Sequence, residues 1–566
     1  MKQILFLPIL TLGLAACAPT STVTKKMEPI PTTSRTQNIN EFTVTECMKL
    51  PPLQDTSSCF VENGNKSTPD QLIIRGNVLT ETGILKGGSV TIQNGKIIAV
   101  SCQIENLQTS TVITCPDSVI TPGLINAHDH LTYNQNYPGN WGAERYDRRN
   151  QWRKGLDGHT KILAPRASND LQVAWAEIRQ IIAGTTSIAG SGGYKGFLRN
   201  VDSLPLQEGL TGGFVNYQTF PLGDSTNVSG HDNDCNYPKI VSKEVLDDLV
   251  FLPHVGEGVD SYANNEIKCL IGNGYPNSPG VNLAAENSTF IHAVASTAAN
   301  SQTFKSAKMH TVWSPRSNIS LYGNTAPITL YHNQGIEFSL STDWTPSGSM
   351  NLFRELSCAA EFNERNLNSY FTSFDLWKMV TINAAKGLGF SDQIGSLKAG
   401  MLADIAIISN KYSGYDAVVK GQPSDVTLVI RGGKPLYGDA NPLVALGYSA
   451  PLCEPINISG KDKMICVKQE IGIDLQTLMA VNTPDKSYPL SFTGNPKDEP
   501  TCLPAREGEY TGLSTSADKD GDGIKDELDN CPTIFNPVRP MDNGVQADAD
   551  QDGLGDVCDP YPYNQA

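Results

Sequence analysis

No pair of cysteines in the 566 residues stands in a CxxC spacing, so no cysteine-built zinc site or dithiol redox motif is expected. Positive charge is scarce. The formal net charge of -16 argues against nucleic acid as a partner. Apolar residues make up only 39% of the chain, while 50 Gly and 35 Pro point to many turns and loops rather than to disorder. The chain is too long for one ordinary core, so several domains are expected. Histidine is sparse at 8 residues, which gives weight to any pattern among them.

The N-terminus, MKQILFLPILTLGLAACAPT, has an apolar stretch too short to span a membrane as a helix, and reads as a secretory signal. Its LAAC ending resembles a bacterial lipobox. That resemblance implies removal of residues 1–16, a lipid on Cys17, a Thr/Ser/Pro/Lys-rich tether over 17–40, and a place in the bacterial cell envelope, at the outer membrane facing the periplasm or the exterior. Thirteen cysteines less Cys17 leave an even set, as an exported, disulfide-bonded chain would have. Proximity in sequence suggests Cys47–Cys59, Cys102–Cys115, Cys235–Cys269, Cys453–Cys466 and Cys531–Cys558, leaving Cys358 with Cys502.

Short alternating runs with turn signals fill 41–121, and a matching set, ADIAIIS and DVTLVIRGGKPLYG, lies in 391–440. Together they predict one small β-sandwich built from segments before and after a central region. That region, 122–390, alternates strand-like and helix-like stretches over a span close to the usual ~250 residues of a (β/α)8 TIM barrel, giving an α/β fold. Leu171, Trp175, Ile178 and Ile182 keep a helical stripe, with Gly184 at the C-terminal cap position. Strand candidates after the first are TTSIAG, GFVNYQTF, LVFLPHVGE, TFIHAV, HTVWSP and IEFSLSTD; insertions blur the fourth strand.

The first strand ends in PGLINAHDHL. Residues i and i+2 share one face of a strand, so His128 and His130 can offer two imidazoles to one metal ion. His254, Glu257, His292 and Asp343 stand at the ends of later runs, and the C-terminal ends of barrel strands converge on one face. Three histidines and a carboxylate suit one Zn(II) or Fe(II) and an activated water. His159, His231, His310 and His332 have no such position.

At PGLINAHDHL, GTTSIAG, HVGE, FIHAV, SPRSNISLYGNTAPI, STDWTPSGSMNLFREL and TINAAKGLGFSDQIGSLKAGMLADIAII the chain resembles the amidohydrolase superfamily, in the mononuclear branch of cytosine-type deaminases and triazine hydrolases. The resemblance implies His128, His130, His254 and Asp343 as metal ligands. It implies Glu257 as proton shuttle, His292 as the group holding water or polarising substrate, and Asp343 also as an acceptor of the water's proton. The implied reaction is hydrolysis of a C–N bond in a small molecule. Trp313, Arg316 and Trp344 would line the pocket. A branch with two metals bridged by a fourth-strand lysine is disfavoured, because GFVNYQTF has none. Long loops after His130 and between His254 and His292 match no particular substrate class.

Residues 441–512, with Cys453, Cys466 and Cys502, carry no readable motif. In 513–566 the text DKDGDGIKDELDNCP and DADQDGLGDVCDP alternates carboxylates as the first half of an EF-hand loop does, and resembles thrombospondin type 3 repeats. That implies a calcium-binding C-terminal tail with Asp518, Asp520, Asp522 and Asp526 on one calcium and Asp548, Asp550, Asp552 and Asp556 on another. The competing expectation is a non-catalytic binding protein, or a calcium-dependent adhesion or scaffold lipoprotein that keeps the barrel.

Overall fold

The computed structural model describes residues 42–53, 58–62, 71–103, 110–226 and 230–564. The signal segment, Cys17 and the tether lie outside these residues.

Strand-forming segments from both sides of the central region join one 11-stranded mixed sheet. Its central ladder is antiparallel: Thr111–Pro122 pairs with Ile405–Ser409, from Ile405 opposite Pro122 to Ser409 opposite Ser118. The side-chain period of two divides each strand between two cores. Ile405, Ile407, Leu428 and Ile430 pack with Ile74, Val90 and Ile113 inside the sheet's own layer. Ile408, Val426 and Val429 face the larger core shared with the barrel. The unread segment 441–512 continues this sheet, since the hairpin Glu454–Ile458 and Lys461–Ile465 adds on through Tyr437 opposite Ile465.

The barrel has eight parallel strands: β1 (Leu124–Asn126), β2 (Thr185–Ile188), β3 (Arg199–Asn200), β4 (Val215–Gln218), β5 (Val250–Val255), β6 (Thr289–His292), β7 (His310–Trp313) and β8 (Phe338–Leu340). Ladders link β1 to β3 and β4 to β8. The Val215 N–H donates to the Val201 carbonyl at 3.1 Å between β3 and β4. A parallel bridge from Asp129 to Asp343 closes β8 on β1. Ile125, Val215, Val250, Leu252, Ile291 and Val312 fill the interior.

The helical stripe after β1 forms Asp170–Ile181, whose first turn is capped by the Asn169 side chain accepting from Leu171 N and Gln172 N. Gly184 follows with φ +84°, the left-handed backbone expected there.

The twelve cysteines of the described residues form six disulfides, and two expected pairings are exchanged: the bonds are Cys47–Cys102 and Cys59–Cys115. Strand pairing explains the exchange. Thr43–Glu46 and Lys96–Ser101 lie along successive parts of the same strand, Gly83–Gln93, so Cys47 and Cys102 meet where those partners end. Phe60–Glu62 runs antiparallel to the strand holding Cys115, and Phe60 opposite Thr114 puts Cys59 beside Cys115.

The C-terminal repeats pack on the barrel's helices. The Phe535 ring lies 6.0 Å from Phe362 and 5.5 Å from Tyr510. Between the repeats, Arg539 Nη1 donates to the Ser296 carbonyl at 2.9 Å, and Met541 N approaches the Val259 carbonyl at 3.4 Å.

Candidate metal centre and catalytic cleft

β1 runs into His128 and His130, β5 carries His254, and the chain past β8 carries Asp343. The three Nε2 atoms form a near-equilateral triangle: 3.4 Å from His128 to His130 and 3.1 Å from His254 to each. Asp343 Oδ1 lies 3.6 Å from His128 Nε2 and 3.5 Å from His130 Nε2. A tetrahedral ion with ligands at about 2.0–2.1 Å requires ligand–ligand edges of roughly 3.3 Å, so the three histidines fit a single divalent ion with Asp343 beside two of them. His292 stands with His128 and Asp343 in a second group whose ligand atoms lie within 4.8 Å of one another.

The other ring nitrogens are engaged from behind. His254 Nδ1 faces the Gln218 carbonyl at 3.4 Å and His128 Nδ1 faces Ser341 Oγ at 3.3 Å, which turns both Nε2 lone pairs to the centre. Burial pushes His128 and His254 well below the ordinary imidazole range, with repulsion among neighbouring rings adding to it; burial alone brings His130 to about 4. The imidazoles are therefore neutral donors at physiological pH. Burial first, and the Glu257 carboxylate second, hold Asp343 well above the usual carboxylate range, opposed by the Ser317 hydroxyl that donates to Oδ2.

Glu257 reaches this group through a sharp turn. Gly256 has φ +60°, and a Cβ there would stand 2.6 Å from Ile267 Cδ1, so glycine is required for the chain to swing back over the site. Tyr322 donates its hydroxyl to Glu257 Oε1 at 2.8 Å, and Trp152 Nε1 donates to the Tyr322 oxygen at 2.8 Å. Glu257 Oε2 is left facing His292 Nε2 at 4.0 Å. Burial raises the Glu257 pKa, while the Arg149 charge and the Tyr322 hydrogen bond oppose the rise.

A directed chain of hydrogen bonds sets the tautomer of His292. Trp313 Nε1 can only donate, and it bonds Thr325 Oγ1 at 2.7 Å. Thr325 then donates to Asn318 Oδ1 at 3.3 Å, and Asn318 Nδ2 donates to His292 Nδ1 at 3.1 Å. Nδ1 is thus the acceptor and Nε2 carries the hydrogen. Nε2 is buried and has no hydrogen-bond partner among the described residues. His292 and Asp343 both adopt left-handed φ, +66° and +60°, which is strain that the surrounding fold holds in place.

The site opens into a cleft of about 880 Å³ lined by Tyr133, Trp152, Phe220 and Trp344 beside His254, Glu257, His292 and Asp343. Trp344 lines the cleft as expected. Trp313 and Arg316 do not: Trp313 stands behind His292 in the bonded chain above. Arg316 is buried, with Nε on Ser349 Oγ at 2.6 Å and Nη1 3.3 Å from Glu499. A position near a site in sequence did not separate the face of β7 turned inward from the face turned to the helices.

Residues that the sequence reading missed are Tyr217, Tyr322, Trp152 and Arg149. Tyr217 on β4 donates to the Asp129 carbonyl at 3.1 Å and lies 3.4 Å from His130 Nε2, so β4 presents a tyrosine and no lysine to the centre. Period-two inspection of VNYQ could have found it. Tyr322 and Trp152 come from two short helices, Pro315–Tyr322 and Arg149–Lys154, with no periodic signal. Asp129, between the two histidines, points away from them and accepts from Asn126, Asn134, Thr342 and Gln180, although burial raises it to about 7.

In the tail, the carboxylates of Asp518, Asp520 and Asp522 lie within 4.8 Å of one another, as do those of Asp548, Asp550 and Asp552. Asp526 and Asp556 are placed otherwise: Asp526 accepts from Lys519 N at 2.9 Å and Asp556 from Ala549 N at 2.8 Å, so each fastens its loop. The next aspartate along each repeat, Asp529 or Asp559, faces the cluster instead. The charge of Asp529 helps to raise Asp520 and Asp522, and Asp559 is itself raised by burial and by Asp552, Asp550 and Asp548. Asp520 Oδ2 and Asp529 Oδ2 are buried without a hydrogen-bond partner among the described residues, which fits a cation.

Residues 274–436 match the profile of the Amidohydrolase family, and residues 516–539 that of the Thrombospondin type 3 repeat. The 5'-deoxyadenosine deaminase of Methanothermobacter thermautotrophicus is 24% identical over 434 residues, 65% of this chain and 94% of that protein. A 5-methylthioadenosine/S-adenosylhomocysteine deaminase of Caldanaerobacter subterraneus is 26% identical over 421 residues, 64% of this chain and 92% of its own. Among solved structures, atrazine chlorohydrolase from Arthrobacter aurescens TC1, complexed with zinc, is similar with a TM-score of 0.51 at 19% identity, covering 73% of this chain and 99% of that one.

Proposed function

We propose, from the premise that this chain belongs to the amidohydrolase superfamily, that it is a metal-dependent hydrolase of a small molecule's C–N bond, acting as a deaminase does and releasing ammonia. The observation that carries the reading is the convergence of His128, His130, His254 and Asp343 on one ion-sized centre with Glu257 and His292 beside it. These residues would hold one Zn(II) or Fe(II). When bound, the ion supplies Lewis acidity, which brings the pKa of water near neutrality.

The chain's own groups do the rest. Asp343 Oδ1, which faces His128 and His130 while Ser317 engages Oδ2, would both serve the ion and take the proton of the attacking water. His292 Nε2–H, fixed as a donor by Asn318, meets the oxyanion of the tetrahedral intermediate. Glu257, with Oε1 engaged by Tyr322 and its pKa raised by burial, delivers its own proton from Oε2 to the leaving nitrogen and is reprotonated from solvent, which also takes up the proton held by Asp343. The absence of a lysine on β4 supports a single ion. A purely binding or scaffolding role would have no use for an oriented donor and a proton carrier at the same ion, so that reading is the weaker.

The six disulfides support an oxidising compartment, and with the LAAC ending they support export and a lipid anchor on Cys17. Labelling by palmitate, abolished in Cys17→Ser, tests that part. For the centre, elemental analysis should give about one transition metal per wild-type chain and none retained by His254→Ala. Wild type loaded with zinc should release ammonia from a panel of aminated heterocycles. A folded wild type that takes up no zinc or iron would sink the reading.

A further inference from the structure

The residues that line the cleft differ sharply in charge from the rest of the molecule. The chain carries a net charge of -16, yet four cations line this one cleft, Arg149, Arg153, Lys161 and Arg166. The carboxylates lining it are Glu257 and Asp343, both at the metal end. Arg149 is neutralised where it stands, 2.7 Å from Asp224 and 3.3 Å from Glu266. Arg153, Lys161 and Arg166 make no ion pair among the described residues, although a chain so rich in acid offers many partners.

Arg153 is the most telling of the three. Its guanidinium carbon lies 4.2 Å over the ring of Phe220, which lines the cleft beside it. Nη2 makes one 3.3 Å bond to the Ser225 carbonyl, and Nη1 is buried with no hydrogen-bond partner. A buried guanidinium N–H without an acceptor is unfavourable, so Nη1 is available to an acceptor that enters the cleft. All of these cations come from the long stretch after β1, which also sets Trp152 in the cleft and Leu163, 78% exposed, at its rim.

We infer that the substrate of the proposed hydrolase is an anion, a small C–N compound bearing a carboxylate or phosphate that docks on Arg153 with Lys161 and Arg166 at the mouth while its C–N group reaches the metal end. The inference rests on the hydrolase reading for the chemistry, and on the cleft alone for the charge. The aromatic side chains between the two ends fit a flat body joining the scissile bond to the anionic group. Arg149, already paired, holds the cleft wall and stays out of the recognition.

The test uses the full chain loaded with zinc and matched pairs of aminated heterocycles: free carboxylate against methyl ester, and nucleoside 5'-monophosphate against nucleoside. The anionic member should have a kcat/KM at least ~10-fold higher, and about 0.5 M salt should raise its KM and leave the neutral member's unchanged. Arg153→Gln should raise KM for the anion ~10-fold at constant kcat, because it removes binding and no chemistry. The carboxylate and phosphate arms tell the two kinds of anion apart. Neutral members turned over equally well, with Arg153→Gln and Lys161→Gln without effect, would overturn the inference. Should no compound be hydrolysed by a metal-loaded wild type, the hydrolase reading falls and the charge claim is read separately. Benzoate and inorganic phosphate are then titrated against tryptophan fluorescence. A saturable change in wild type that Arg153→Gln abolishes upholds the anion site, and no change in wild type overturns it.

Discussion

The Tyr322 hydroxyl donates to Glu257 Oε1 across 2.8 Å, joining the helix after β7 to the turn after β5. Because Trp152 Nε1 occupies the Tyr322 oxygen, the phenol has one direction left for its hydrogen. The glutamate is thereby held with one oxygen satisfied and the other turned to the site.

Tyr322→Phe removes a donor that favours the ionised carboxylate. Burial already holds Glu257 above its usual pKa, so losing the opposing hydrogen bond raises it further. The limb of the kcat/KM–pH profile that belongs to Glu257 should move to higher pH by about one unit, in keeping with ~1.5–3 kcal/mol for a hydrogen bond to a charged group. A profile that keeps its midpoint would separate Tyr322 from the titration.

Thr325→Val cuts the chain from Trp313 to His292 at its middle. Asn318 then loses the donor that fixes its amide, and His292 loses its enforced tautomer. A fall of about 10–100-fold in kcat is expected with metal content unchanged, the size usual for partners one step behind a site. Loss of metal along with activity would show that the chain supports the ligands instead.

Peptide mapping of the oxidised protein should return Cys47–Cys102 and Cys59–Cys115. The Cys59→Ser, Cys115→Ser double variant opens a closure of 56 residues and should lose ~2–4 kcal/mol, read as a lower Tm.

The acidic clusters make calcium dependence a function of pH. Burial and neighbouring carboxylates raise Asp520 to about 8, and burial raises Asp522 to about 7, in the folded tail without cation. A carboxyl raised in the folded state stabilises it fully below the unfolded value near ~4 and ceases to do so as pH rises through the folded one. The chelated protein should therefore lose stability progressively from about pH 4 to 8, and added calcium should raise Tm more at pH 8 than at pH 6. An equal calcium effect at both would contradict proton–calcium exchange at these carboxylates.

Much of the centre was legible because its geometry is local. His128 and His130 follow from the strand period, and His254, Glu257, His292 and Asp343 from their places at the ends of apolar runs. β3 was not legible: it is two residues, Arg199 and Asn200, with the arginine buried on Asp404 at 2.7 Å, and nothing in such a strand alternates. Cys59 found Cys115 through an antiparallel register, which proximity along the chain does not report. Trp313 was assigned to the pocket and stands behind it, since sequence spacing places a residue at a strand end without giving its direction. Arg153 was visible only as one charge in the long stretch after His130, because an unpaired charge is defined by partners that folding withholds.

Arg506 lies far beyond Asp343, the last ligand of the barrel's centre in the chain, and its Nη1 bonds the carbonyls of Tyr146 and Tyr322 at 3.2 and 3.0 Å while Nη2 meets Asp147 at 2.7 Å. Translation therefore delivers every ligand of that centre before it delivers the guanidinium that ties the helix bearing the glutamate's partner to the loop after β1. A product ending short of residue 506 would own a complete ligand set and an unfastened proton carrier. The order of synthesis thus makes the proton carrier's support one of the last parts of the enzyme to be assembled, and a prematurely ended chain a metal binder before it is a catalyst.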